Sequence, residues 1–247
     1  MEIGIPADCV DDTGGLVGLV EAAGGTPVVR AGVLAVDRAD PDVIVLRGDR
    51  SVGRAIRTGC TSPIVPIDTR TSLEPIPLQE AAAAIDALVG GHGQSIERRA
   101  VGGSIDGGEA IVGVFELTML TRDPATISEY VIRSAGRRVA RYRADGIVIA
   151  TPHGSSGYAR SSGGAVVASD VDALSVVPIS AYRTADDHWV LPSVSVTVAR
   201  DETPVDVFAD DQTVGEVAFE ETLEVRPGRS FDTIRLPQSR SPFDNGA

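Results

Sequence analysis

Residues 42–51 read DVIVLRGDRS. Residues 42–46 form a continuous apolar strand that does not alternate, as a strand buried on both faces requires. It runs into Arg47-Gly48-Asp49-Arg50-Ser51, and helix-compatible sequence follows over residues 52–58. Ser51 is expected to cap that helix, because its hydroxyl can accept from an unpaired first-turn N–H. Working outward, residues 1–6, 26–29 and 63–67 read as further short strands. Residues 13–23 and 78–89 read as helices that stop at Gly24-Gly25 and Gly90-Gly91. Strand–helix alternation of this kind predicts a Rossmann-like parallel sheet with helices on its faces.

From about residue 97 the texture changes to short β-rich segments: 110–120, 129–134, 137–142, 146–150, 193–199, 204–208 and 222–227. Val205-Asp206-Val207-Phe208-Ala209 alternates with period two. The expected organisation is an α/β domain over residues 1–92, an all-β antiparallel sandwich over 93–236, and a polar tail over 237–247.

Hydrophobic residues make up 43% of the 247, but aromatics only 4%, so the core must be built from Val, Ile, Leu and Ala. The formal charge is −13, and all 22 basic residues are Arg. A strongly acidic chain without Lys suits a high-salt setting, where surface self-repulsion is screened within ~3 Å. The same balance argues against nucleic acid and anionic membrane as partners. No apolar run reaches the ~18 residues of a membrane span, and the N-terminus enters a strand pattern directly. The expected localisation is cytoplasmic. Cys9 and Cys60 match no metal spacing and read as free thiols.

The stretch with most chemistry is residues 145–167, DGIVIATPHGSSGYARSSGGAVV. A strand ends in a loop dense in hydroxyls (Thr151, Ser155, Ser156, Ser161, Ser162) and glycines (Gly154, Gly157, Gly163, Gly164). Successive N–H groups in such a loop can form an anion nest, and Tyr158 can lie against a base or ribose. By residue chemistry alone this is a nucleotide-like ligand site or a Gly/Ser-rich surface loop.

Residues 151–164 resemble, without a gap, the NAD kinase motif TPTGSTAYxxSAGG, with His153, Ser156, Gly157 and Ser162 as the differences. Other pieces resemble that family in order. Arg47-Gly48-Asp49-Arg50-Ser51 stands in the place of its GGDGT, Phe115-Glu116 in the place of Asn-Glu, and Asp210-Asp211-Gln212 in the place of Asp-Gly-Gln. Residues 126–130, TISEY, match the segment leading to its next strand.

The resemblance implies a kinase that phosphorylates the ribose 2′-hydroxyl of NAD to give NADP. The donor would be ATP or polyphosphate, Mg²⁺ or another divalent cation would assist, and the chain would form a homo-oligomer, dimer or tetramer. Asp49 becomes the base. Gly48, Ser51, Glu116, Asp145, Thr151, His153, Gly154, Ser155, Ser156, Gly157, Tyr158, Ser161 and Gln212 become binding residues, with the site between the domains. No metal ligands are assigned.

Departures leave two alternatives open, a catalytically weakened nucleotide-binding relative or a kinase acting on another hydroxyl. Arg47 and Arg50 replace phosphate-loop glycines, and can block phosphate or bind it. Pro66-Ile67-Asp68-Thr69-Arg70 lacks the two glycines of the family's segment, and Phe115 removes an amide. Each candidate also has a plain structural reading. Asp49 and Asp145-Gly146 can be turns, and Glu116 can face solvent. His188 and Trp189 can cap the β domain. Asp11-Asp12, Asp186-Asp187 and Asp210-Asp211 can be solvated surface.

Overall fold

The structure, a computed structural model, describes residues 1–8, 13–70, 73–123, 126–182, 188–200, 203–241 and 243. Cys9, Asp11-Asp12 and Asp186-Asp187 lie outside the described residues. The chain divides into two compact units, Met1–Arg98 with Ser230–Ala247, and Arg99–Arg229.

The first unit holds β1 (Glu2–Pro6), α1 (Thr13–Ala22), β2 (Thr26–Arg30), α2 (Val33–Asp37), β3 (Val43–Arg47), α3 (Gly48–Thr58), β4 (Ile64–Ile67) and α4 (Ala81–Val89). The strands pair in parallel in the order β2-β1-β3-β4. Val43, Ile44, Val45 and Leu46 are all buried, as the unbroken apolar run requires. Helix α1 packs beside α4, and α2 beside α3. Gly4 permits one of these layers: a Cβ there would lie 2.4 Å from Val36 of α2. The strand order reverses between β1 and β3, and in such sheets the crevice at the carboxyl ends of the diverging strands is the usual ligand position. Helix α3 starts there.

Two expectations about this unit need correction. Helix α3 begins at Gly48, with Arg47 at the N-cap and no side-chain capping bond, so Ser51 lies inside the first turns and is not the cap. Gly48 takes φ +75°, which lets the chain turn straight from strand into helix. The helix expected over 78–89 opens as a 3₁₀ turn, Leu78–Glu80, before α4.

After α4 the long strand β5 (Gln94–Ile105) carries the chain out of the first unit. The second unit continues through β6 (Ile111–Gly113), β7 (Glu116–Thr121), β8 (Ser128–Ser134), β9 (Arg137–Ala144), β10 (Gly146–Ala150), α5 (Tyr158–Ser161), β11 (Leu174–Ile179), β12 (Trp189–Leu191), β13 (Val194–Arg200), β14 (Val205–Ala209) and β15 (Gln212–Val217). One antiparallel sheet runs β12-β11-β10-β7-β14-β15. In the other, β9, β8, β13 and the long strand β16 (Thr222–Arg235) follow one another in that order, each antiparallel to the next. Leu117, Met119, Ile147 and Ile149 of the first meet Tyr130, Ile132, Val196 and Leu223 of the second in one core. This is the expected antiparallel sandwich, filled mainly by aliphatic side chains.

Strand β16 returns the chain to the first unit, where Thr233 pairs in parallel with Ile64 of β4 and Leu236 joins the core. There Glu74 accepts from buried Arg98 at 2.7 Å and from Arg235 Nε and Nη2, both at 2.7 Å. Burial would raise the Glu74 carboxyl, but the two guanidiniums hold it below its usual range. Removing one partner from such a buried group costs ~3–5 kcal/mol.

Candidate functional site

In the first unit the candidate base, Asp49, occupies the first turn of α3, where the helix dipole favours a carboxylate. Its two oxygens face the N–H of Arg70 at 3.2 and 3.3 Å. Arg47 turns to Asp68, with Nη2 3.3 Å from its carboxylate. Asp68 itself sits at φ +53°, a conformation that favours the glycine its sequence position lacks. Next to this loop, Gly15, Leu16 and Leu19 of α1, with Arg47, Ile67 and Leu78, line a mostly apolar pocket of about 290 Å³. The volume is at the small end of ligand pockets. Gly48 and Ser51 stand on the same first turns of α3.

In the second unit the hydroxyl-rich loop is a compact turn clamped on the start of β7. Thr151 N–H donates to Phe115 O at 2.8 Å, its hydroxyl donates toward Phe115 O at 3.0 Å, and the same Oγ1 accepts from Gly154 N–H at 3.1 Å. Ser155 Oγ donates to Pro152 O at 2.7 Å and accepts from Val167 N–H at 2.8 Å. Thr151 and Ser155 are buried, so their hydroxyls are committed to the turn. A Cβ on Gly154 would stand 2.0 Å from Phe115 O, so only glycine fits. His153 is buried beside them, Ser156 and Gly157 are half-buried, and Tyr158 and Ser161 are exposed on short α5. His188 packs its ring against Gly163, within 3.2 Å of where a Cβ would be. Trp189 lies against Tyr142, ring centroids 5.3 Å apart.

Glu116 opens β7 directly opposite Ala150, one residue before the turn, so register alone brings the two together. The segment expected as one strand over 110–120 breaks at Val114 and Phe115, and Asp210 causes the break. Its carboxylate accepts the N–H of Val114 at 3.0 Å, Phe115 at 2.8 Å and Glu116 at 3.2 Å. Solvated surface is therefore the wrong reading for Asp210, which folds the strand start around itself from φ +54° at the β14–β15 turn. Gln212 follows on the exposed side of that turn.

Glu116 is not the solvent-facing residue that its plain reading allows. Burial first, and then the charge of Asp210, push its carboxyl up to about 7, against a weak opposing bond from Thr118. Asp145 stands apart. It precedes β10, whereas the turn follows it, and a five-residue strand separates them by roughly 17 Å.

The sequence reading missed the Asp210 nest and the ties from Arg70 to Asp49 and from Arg47 to Asp68. An aspartate at a hairpin position that tolerates positive φ was the one available signal for the first. The other two join residues about twenty apart and had none. Among the described residues no group of three or more His, Cys, Asp or Glu is placed to hold a metal, and no helix is long and apolar enough to cross a membrane.

The ATP-NAD kinase C-terminal domain family matches residues 115–236, which include Glu116, the Thr151 turn and Asp210. The NAD kinase of Methanosarcina barkeri is 29% identical over 223 residues, 88% of this chain and 76% of that protein. The NAD kinase of Geobacter metallireducens is 29% identical over 239 residues, 92% and 84% of the two chains. Among solved structures, an NAD kinase from Archaeoglobus fulgidus in complex with ATP superposes with TM-score 0.75 at 20% identity, covering 98% of this chain and 95% of its own. Yeast NADH kinase complexed with NADH gives 0.78 at 15% identity, covering 96% and 84%. At those identities the superpositions establish the fold.

Proposed function

This chain belongs to the NAD kinase family, and from that premise we propose that it phosphorylates the ribose 2′-hydroxyl of NAD to give NADP. ATP is the donor that the family description and the Archaeoglobus complex support. The observation that carries the reading is the Thr151–Gly164 turn: its motif residues are the ones the local geometry uses, with Gly154 beneath the Phe115 carbonyl.

In the reaction the 2′-oxygen attacks the terminal phosphorus of ATP, the bond to the bridging oxygen breaks, and ADP leaves. Asp49 takes the hydroxyl proton, and the first turn of α3 offers N–H groups to phosphate. Ser156, Gly157, Tyr158 and Ser161 hold NAD from the half-buried and exposed side of their turn, while Thr151 and Ser155 give that turn its shape. Glu116 faces the same ligand and Gln212 binds at its margin, whereas Asp145, at the far end of β10, is left out of the set that holds it. Mg²⁺ needs only one or two carboxylates plus phosphate oxygens. Asp49, in the first turn of α3, can supply one such carboxylate. When bound, the ion would neutralise phosphate charge.

The −13 charge and the absence of Lys support a high-salt setting, and we propose a cytoplasmic dimer or tetramer that binds neither nucleic acid nor membrane. NADP formation from NAD, ATP and Mg²⁺, assayed from low to molar salt, tests the activity. Turnover is the expected result.

The Arg47–Asp68 pair and Phe115 favour one second reading, a nucleotide-binding relative with weakened turnover. Tight nucleotide binding without NADP at any salt would establish that reading. Neither binding nor turnover would remove both.

A further inference from the structure

The outer face of the sheet that contains β8, β13 and β16 carries a groove unrelated to the residues assigned above. Along each strand alternate residues enter the core: Ile132 on β8, Val194 and Val196 on β13, Leu223 and Val225 on β16. By the two-residue period, Arg133, Ser195, Glu224 and Arg226 stand on the opposite face. The register places Ser195 opposite both Arg133 and Glu224, so these residues form one row across three strands. Arg229 continues the rim. The groove encloses about 790 Å³, within the range of small-molecule sites.

Two features characterise this groove. The first is charge. The chain has 35 carboxylates for 22 arginines, so an arginine has ample opportunity to pair. Arg122, Arg141 and Arg235 do so. Arg133, Arg226 and Arg229 make no ion pair among the described residues, and Glu224 is the one carboxylate among the groove's lining residues. The second is the floor. Gly102 of β5 and Gly228 of β16 cross so closely that a Cβ on Gly228 would lie 2.9 Å from Gly102 N. Gly102, Gly103, Gly107, Gly108, Gly136 and Gly228 all line the groove, so part of its wall is backbone that a ligand can approach closely.

We propose that this groove binds a small polyanion through chained phosphates, which three guanidiniums suit by charge and by forked geometry. The alternative sources of that chemistry are a nucleoside triphosphate and an inorganic polyphosphate. A second, acidic copy of the chain is a different occupant, and the test separates it.

Tripolyphosphate and ATP are titrated separately into the full chain at low salt by calorimetry, beside the R133Q/R226Q/R229Q variant. Wild type should show one more binding step than the variant, or affinity higher by more than about tenfold, while NAD phosphorylation stays unchanged. Equal affinity for the two probes would identify the phosphate chain as the ligand, and tighter ATP the nucleotide; both outcomes support the groove. Identical isotherms for wild type and variant overturn it. Should the variant not fold, hydrogen exchange on the wild-type chain decides. Tripolyphosphate must protect residues 102–108 and 224–229, and no protection there overturns the site. A wild-type dimer that the substitutions dissolve, without any tripolyphosphate effect, also overturns it in favour of self-association.

Discussion

The turn over 151–164 and the loop over 47–51 resemble two motifs of one family, yet they are built differently. In the first, backbone geometry dictates side chains: Gly154 lies under a carbonyl, and two buried hydroxyls close the turn. In the second, only Gly48 is demanded by backbone conformation, at φ +75°. Its neighbours Arg47 and Arg50 face a more open surface, and Arg47 has found a local partner in Asp68. A motif residue fixed by the fold stands in this sequence as the motif writes it. A residue fixed only by a ligand can be replaced without unfolding anything.

Asp49→Asn gives the largest expected effect. If the loop retains its chemistry, NADP formation should fall by ~10²–10⁴-fold, with the melting temperature nearly unchanged. Full activity in that variant would break the comparison, because the loop would then carry no proton transfer.

Gly154→Ala is expected to act in the opposite sense. The clash with Phe115 O should cost ~3 kcal/mol in denaturant unfolding, before any effect on turnover. A neutral result would mean that the turn is as tolerant as the loop.

Glu116→Gln tests the residue that register sets beside the turn. The carboxyl is raised from 4.5 to about 7 by burial and Asp210. The folded state therefore binds the proton more tightly than the unfolded chain does. The contribution of Glu116 to stability is therefore fully present below pH 4.5 and is lost as the pH rises through about 7. The substitution should remove that decline and stabilise the chain by on the order of 2 kcal/mol at pH 8. Unfolding free energy measured from pH 5 to 8 checks it.

Arg47→Gly is the mildest. Losing an exposed pair with Asp68 should cost ~0–1 kcal/mol of stability. Under the kinase reading, the KM for ATP should change by less than about tenfold, the span of 1.4 kcal/mol. A large gain in activity would instead mark Arg47 as an obstruction.

Much of the fold was legible where one residue type serves one environment. Val43–Leu46 declared a strand covered on both sides, and Gly24-Gly25 and Gly90-Gly91 marked helix ends. Strand β5 was not legible: QSIERRAVGGSI has neither clean alternation nor an unbroken apolar run, because its surroundings change along its length. Ser51 misled because a helix can begin on a left-handed glycine with no capping side chain. At the candidate site, the turn and Glu116 were readable from their motif. The work of Asp210 was not, since three backbone N–H donors on a segment ninety-odd residues earlier leave no trace in local sequence.

Strand β16 ends beside β4, and Leu236 and Arg235 complete contacts begun by residues before position 90. During synthesis those last pieces emerge from the ribosome only after the entire sandwich has been made. Until then the parallel sheet of the nascent chain has an uncovered edge at β4, and Glu74 waits without Arg235. The sandwich is thus complete in sequence by Arg229, whereas the parallel-sheet unit is complete only once the residues from Ser230 onward have been made.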